Sequence, residues 1–216
     1  MKNRRKGVLD IKAKNSTSKN FYESLELEFE KGLDYEEIQF RSYLRERKII
    51  INEEIDLSIV NRSILNILKW NEEDEALGVP LNDRQPITIY LTTNGGCTIS
   101  CFALIDAIKS SKTKVIVHGI GICASAGAFI LIAGHERIAN KHLTILLHDG
   151  SMAVQSSSKK AKDMVKFFDD LDLKIKDFVV SNTKISKELY ESKEDCEWYM
   201  LAGEEGLSLG IIDRVL

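Results

Sequence analysis

Ser125 and His148 are the two side chains of this sequence whose types and surroundings fit joint nucleophilic chemistry. Ser125 interrupts the apolar run HGIGICASAGAFILIAG, residues 118–134, flanked by Ala124, Ala126 and Gly127. At a strand-to-helix junction its hydroxyl would lie beside free backbone N–H groups and the positive end of a helix dipole, a setting that suits a developing anion. His148 closes the apolar segment LTILLH, and an imidazole can take up a hydroxyl proton near neutral pH. Set at adjacent strand ends, the two would form a Ser–His pair. Plainer roles also fit: a helix N-cap for Ser125 and an edge position for His148. Gly95-Gly96 lies between a strand-like and a helix-like segment, as a backbone that approaches a ligand closely requires.

Several other chemistries are excluded. Cys123 stands where a G-x-S-x-G elbow needs glycine, so the α/β-hydrolase pattern is absent. Neither G-K-[ST] nor G-x-G-x-x-G occurs at the Gly95-Gly96 turn, which argues against nucleotide binding. Cys97, Cys101, Cys123 and Cys196 form no CxxC pair and no zinc pattern with the four histidines. They are expected to be reduced and mostly buried, and neither a metal nor a cofactor is implied. A net charge of -3 gives no general attraction for nucleic acid. No apolar run reaches the ~18 residues of a membrane span. The opening MKNRRKGVLDIKAKNSTSKN has no hydrophobic signal core, so a cytoplasmic protein without membrane attachment is expected.

The elements that must position these groups follow from periodicity. Residues 1–20, rich in Lys, Asn and Ser, read as a mobile tail, and 21–216 as one domain. The stretch from Phe21 to Glu46 fits helix or strand. Ile49–Ile51 suits a buried strand, and Ile59, Val60, Ile64, Leu65, Ile67 and Leu68 fall on one helical face. Both prolines mark the loop before ITIYLTTNGG, a strand ending at a glycine turn, and TISCFALIDAIKSS then reads as helix. KVIVHGIG and ASAGAFILIAG repeat the pattern, and HLTILLHDG supplies a third strand. Such alternation implies an α/β domain with a largely parallel sheet and its chemistry at the carboxyl ends of the strands. Residues 158–192 read as one long charged helix whose apolar side, including Met164, Phe167, Phe168 and Leu171, faces either this domain's core or another subunit.

Taken together and in order, ITIYLTTNGG, IGICASAGAFILIAG, TILLHDG and EEGLSLGIID resemble the proteolytic subunit of the Clp protease. The resemblance spans about residues 40–216 and implies the Clp protease/crotonase-like fold with repeated strand-turn-helix units and a protruding handle helix, the handle region covering about 150–192. It assigns Ser125 as nucleophile and His148 as general base, with the backbone N–H groups of Gly96 and Ala126 as the oxyanion hole. It implies a serine endopeptidase that cleaves unfolded polypeptides inside a homo-oligomer of stacked rings, with an AAA+ ATPase unfoldase as partner.

Departures from the family pattern are informative. Its Asn-Ser-Pro-Gly-Gly loop is Thr92-Thr93-Asn94-Gly95-Gly96 here, and its His-Gln-Pro is His148-Asp149-Gly150. Counted back without a gap from Gly210-Ile211-Ile212-Asp213, the family's aspartate position falls on Trp198. A one-residue insertion near Leu201-Ala202-Gly203 places Glu197 there instead, with Asp195 as the second choice; solvated surface carboxylates are the plain alternative. The N-terminal segment also differs from the short apolar axial loop of the family. Two other functions stay open at this stage. One is a catalytically inactive subunit with an assembly or regulatory role, and the other is a crotonase-type acyl-CoA enzyme.

Overall fold

The computed structural model describes residues 35–150, 153–193 and 195–216. The expected tail over 1–20 lies outside them. The chain divides into two compact units, up to Glu46 and Arg47–Leu216. Within the first, helix α1 spans Tyr35–Arg45, which decides the helix-or-strand alternative for these residues. Glu36 and Glu37 in its first turn and Arg45 in its last complement the helix dipole, and Glu37 pairs with Arg41 one turn on at 2.7 Å.

The second unit is built on one sheet. Its strands are β1 (Lys48–Ile51), β2 (Ile87–Thr93), β3 (Val115–Ala124), β4 (Glu136–Ala139), β5 (Thr144–Leu147), β6 (Trp198–Leu201) and β7 (Arg214–Val215). β1, β2, β3, β4 and β7 lie side by side in parallel, while β5 pairs in parallel with β3 and antiparallel with β6. Alternation along β1 and β2 buries Ile49, Ile51, Ile87, Ile89 and Leu91 on one face. The helices that follow the strands contribute Ile67 from α2 (Leu65–Ala76), Leu104 and Ile108 from α3 (Thr98–Ser110), and the whole of α4 (Ala126–Ala133) to the core. All eight residues of α4 are buried, which explains why its sequence, AGAFILIA, has no polar face.

β3 organises the site. Its first half pairs with β4, Ile116–Gly119 against Glu136–Ala139, and its last residues, Ile122–Ala124, pair with Thr144–Leu146 of β5. Between them the register against β2 jumps from Leu91↔Gly119 to Thr93↔Cys123. Gly121, at φ +70°, makes this bulge without a Cβ penalty. The glycines thus bend the strand where the sequence suggested a turn that ended it.

Two polar clusters tie the sheet to its surroundings. Arg47 Nη1 and Nη2 each donate to Asp74 at 2.7 Å, and Thr113 Oγ1 donates to the same carboxylate at 2.9 Å, joining the approaches to β1 and β3 with α2. Arg137 in β4 donates to Asp213 at 2.6 Å and to the carbonyls of Gly210 (2.7 Å) and Asn182 (2.9 Å), fixing the C-terminal segment.

Three expectations change. β4 was not anticipated; its sequence, ERIA, is short and half charged. The helix expected over 158–192 is two helices, α5 (Ser158–Asn182) and α6 (Lys187–Glu191). Asn182 Nδ2 and Thr183 Oγ1 donate to the carbonyls of Phe178 and Val179, so side chains rather than another turn satisfy the end of α5. Only Leu171 and Val179 of α5 are buried; Met164, Val165 and Phe167 in its first half are exposed. Of the cysteines, Cys101 and Cys123 are buried as expected, whereas Cys97 and Cys196 are exposed.

Candidate active site

Ser125 follows the last residue of β3 and precedes the first of α4, with φ +53° and ψ -123°. A non-glycine residue rarely adopts this conformation, which costs on the order of 1–3 kcal/mol and survives only where its surroundings impose it. Here they do. Ser125 N donates to Leu146 O of β5 at 2.9 Å, and its carbonyl accepts from Ala128 N, so strand and helix pin both sides of the residue. Ser125 occupies the N-cap position of α4, yet its side chain makes no capping hydrogen bond. The hydroxyl is left available.

The turn after β2 lies directly against this serine. A Cβ on Gly95 would come within 2.7 Å of Ser125 Cβ and 2.9 Å of Ala124 O, so only glycine permits the approach. The segment after β1 clamps the turn from the other side. Ile55 N donates to Gly95 O at 2.8 Å, and Cys97 N donates to Ile55 O at 2.7 Å. Buried Thr93 adds two links, accepting from Gly95 N at 3.1 Å and donating to Glu53 O at 2.6 Å. The N–H groups of Gly96 and Ala126 form no hydrogen bonds among the described residues. Two unused donors therefore flank the serine on rigid backbone, as an oxyanion hole requires.

His148 follows β5, whose Leu146 pairs with Ala124. Parallel pairing thus delivers the histidine beside the end of β3. On its other side, the antiparallel register Leu147↔Trp198 brings the residue just before β6, Glu197, opposite His148. His148 Nδ1 and Glu197 Oε1 are 3.0 Å apart. The imidazole is largely covered, at 25% exposed, and the carboxylate is open, at 58%. Asp195 makes no hydrogen bond to His148 among the described residues, and Trp198 is buried in β6, where Lys193 Nζ stands 5.9 Å from its ring centre. No hydrogen bond joins Ser125 to His148 among the described residues. Such bonds are commonly long in resting sites and tighten when substrate arrives.

Sequence reasoning missed Thr93 and Ile55, which act through hydrogen bonds that hold the glycine turn. Nothing in residue type marks either one. Among the described residues no group of three or more His, Cys, Asp or Glu side chains is arranged to hold a metal, and no helix is long and apolar enough to cross a membrane.

Comparison with known proteins agrees with this architecture. Residues 33–216 match the family model described as Clp protease. The chain is 30% identical over 178 residues to ATP-dependent Clp protease proteolytic subunit 2 of Prochlorococcus marinus (strain MIT 9312), covering 79% of this chain and 81% of that one. It is 29% identical to proteolytic subunit 3 of Synechococcus sp. (strain CC9902), across 79% and 82% of the two chains. Against proteolytic subunit 2 of Nocardia farcinica (strain IFM 10152) the identity is 27%, across 86% and 88%. With a family match over nearly all of the described chain, and with a parallel sheet that brings serine, histidine and glycine turn together, this chain belongs to the Clp protease family.

Proposed function

We propose that Ser125 is the nucleophile, His148 the general base and Glu197 the orienting carboxylate of a serine endopeptidase, with the N–H groups of Gly96 and Ala126 as its oxyanion hole. The activity is that of the family, serine-type peptide hydrolysis. Ser125 Oγ attacks the peptide carbonyl carbon while His148 takes its proton, and the carbonyl oxygen becomes an oxyanion held by the two N–H groups. The imidazolium then gives that proton to the leaving amine as the C–N bond breaks. Water, deprotonated by the same imidazole, hydrolyses the acyl-enzyme and regenerates Ser125. Glu197 accepts from His148 Nδ1–H, holding the tautomer whose Nε2 is free to act as base.

The observation that carries this reading is the strained Ser125 with an uncommitted hydroxyl, set beside a His148–Glu197 pair at 3.0 Å. The inactive-subunit reading rests on Trp198 at the aspartate position, and the 3.0 Å approach of Glu197 to His148 supports the active one instead. In the assembled protein we place these sites inside a chamber of stacked homo-oligomeric rings that admits unfolded polypeptide from an ATPase partner. The relatives carry ATP-dependent proteolysis in their names. The exposed apolar residues in the first half of α5 give such an assembly a surface to bury.

The test is covalent labelling with a serine-directed fluorophosphonate, read by peptide mass spectrometry. One label on Ser125 that vanishes in Ser125→Ala is expected. Labelling that persists in the variant overturns the assignment.

A further inference from the structure

A cavity of about 450 Å³ opens beside Gly96, within the range of roughly 300–1,000 Å³ typical of ligand pockets. Its walls are the segment after β1, with Asn52, Glu53 and Glu54, and the end of β2, with Thr92 and Asn94; Ile122 of β3 supplies an apolar side. No Lys, Arg or His is among the described residues that line it. Glu53 is bound to Arg62 at 2.5 Å, whereas Glu54 has no ion-pair partner among the described residues. The Glu54 stem packs on the glycine itself, since a Cβ on Gly96 would come within 2.9 Å of Glu54 Cγ.

Resting on the serine-peptidase reading, we infer that this cavity receives a basic side chain of the substrate, within three residues on the acyl side of the scissile bond, and that Glu54 selects it. Gly96, whose N–H would hold the scissile oxygen, is one of the residues lining the cavity, so residues of a bound peptide close to that carbonyl pass its mouth. The chemistry fixes the sign. A lysine or arginine can lay its aliphatic stem along Ile122 and present its charged head to Glu54. An acidic residue meets like charge, and an apolar one leaves the exposed Glu54 carboxylate unpaired. Asn52, Thr92 and Asn94 offer oxygens to the remaining donors of a guanidinium or ammonium.

Capped fluorogenic peptides carrying Arg, Lys, Leu or Glu in turn at each of the three positions before the cleaved bond test this. At one position, kcat/KM for Arg or Lys is expected to exceed that for Leu by about fivefold and that for Glu by more. This is the scale of one partly solvated ion pair. The ratio should fall toward one in Glu54→Gln and as salt rises from about 0.05 to about 0.5 M, and should invert in Glu54→Arg. The wild-type salt titration needs no variant, so a misfolded one does not leave the question open. Fluorophosphonate labelling of Ser125 without any basic preference, or a Glu54→Gln effect equal for all peptides, overturns this inference alone. Absence of labelling overturns the serine-peptidase reading beneath it.

Discussion

Replacing Glu197 with Gln tests the least evident member of the proposed triad, because it keeps the shape of the side chain and removes only its charge. In the wild type that charge faces an imidazole at 3.0 Å and, on the proposed mechanism, stabilises the imidazolium that forms during attack. Two unit charges about 4 Å apart interact by about 1 kcal/mol in water and about 4 kcal/mol at the effective dielectric of a protein surface. With His148 25% exposed and Glu197 58% exposed, the pair lies between these limits, at about 2 kcal/mol. At about 1.4 kcal/mol per factor of ten, Glu197→Gln should lower kcat/KM by roughly 30-fold. That is far short of the ~10⁴-fold loss when a buried triad aspartate is neutralised. The assay is hydrolysis of a fluorogenic peptide by the assembled protein, measured also in a His148→Ala background, where Glu197→Gln should do nothing further. Asp195→Asn should leave the rate unchanged. A loss below threefold, or an equal loss with and without His148, refutes the reasoning.

The glycine turn, the buried ion pair and the thiols give three further outcomes. Gly95→Ala would put a Cβ 2.7 Å from that of Ser125 at φ +107°. It should destabilise by roughly 2–5 kcal/mol in urea denaturation and cut kcat/KM by more than ~10²-fold as the serine shifts. Arg47 holds the Asp74 carboxyl below the usual range by hydrogen bonding, and a depressed folded-state pKa adds stability above the unfolded value near ~3.9 that is lost as pH falls through the folded one. Asp74→Asn should therefore cost about 3 kcal/mol at neutral pH, with the gap from wild type closing as pH falls through the depressed folded-state value; a gap independent of pH contradicts this. Iodoacetamide on the native protein should alkylate Cys97 first, since the backbone N–H of Ser100 holds its thiol below the usual range. Cys101 and Cys123 should react only after unfolding, because burial pushes both thiols up, Cys123 to about 12. Peptide mass spectrometry reads the order.

What the sequence disclosed and what it withheld follow from the range of the interactions involved. Ser125, His148 and the glycine turn were legible because each is marked locally, by an odd residue in an apolar run or by a residue without a Cβ. The strands β2, β3 and β5 were legible because alternation and apolar runs report burial residue by residue. β4 was hidden because ERIA forms a strand only through its neighbours. Glu136 pairs with Lys114 at 2.7 Å and with Arg214 at 2.8 Å, and Arg137 is spent on Asp213, so the charges of this short strand are neutralised within the sheet. The carboxylate partner of His148 depended on a register between two strands far apart in sequence. An ungapped count chose Trp198, but β6 alternates buried Trp198 and Met200 with exposed Tyr199 and Leu201. A slip of one residue moves a side chain to the opposite face. The indole belongs to the buried face, and the residue before it is released toward the open end of the sheet where His148 stands. Burying Trp198 is thus the same register choice that delivers Glu197 to the imidazole.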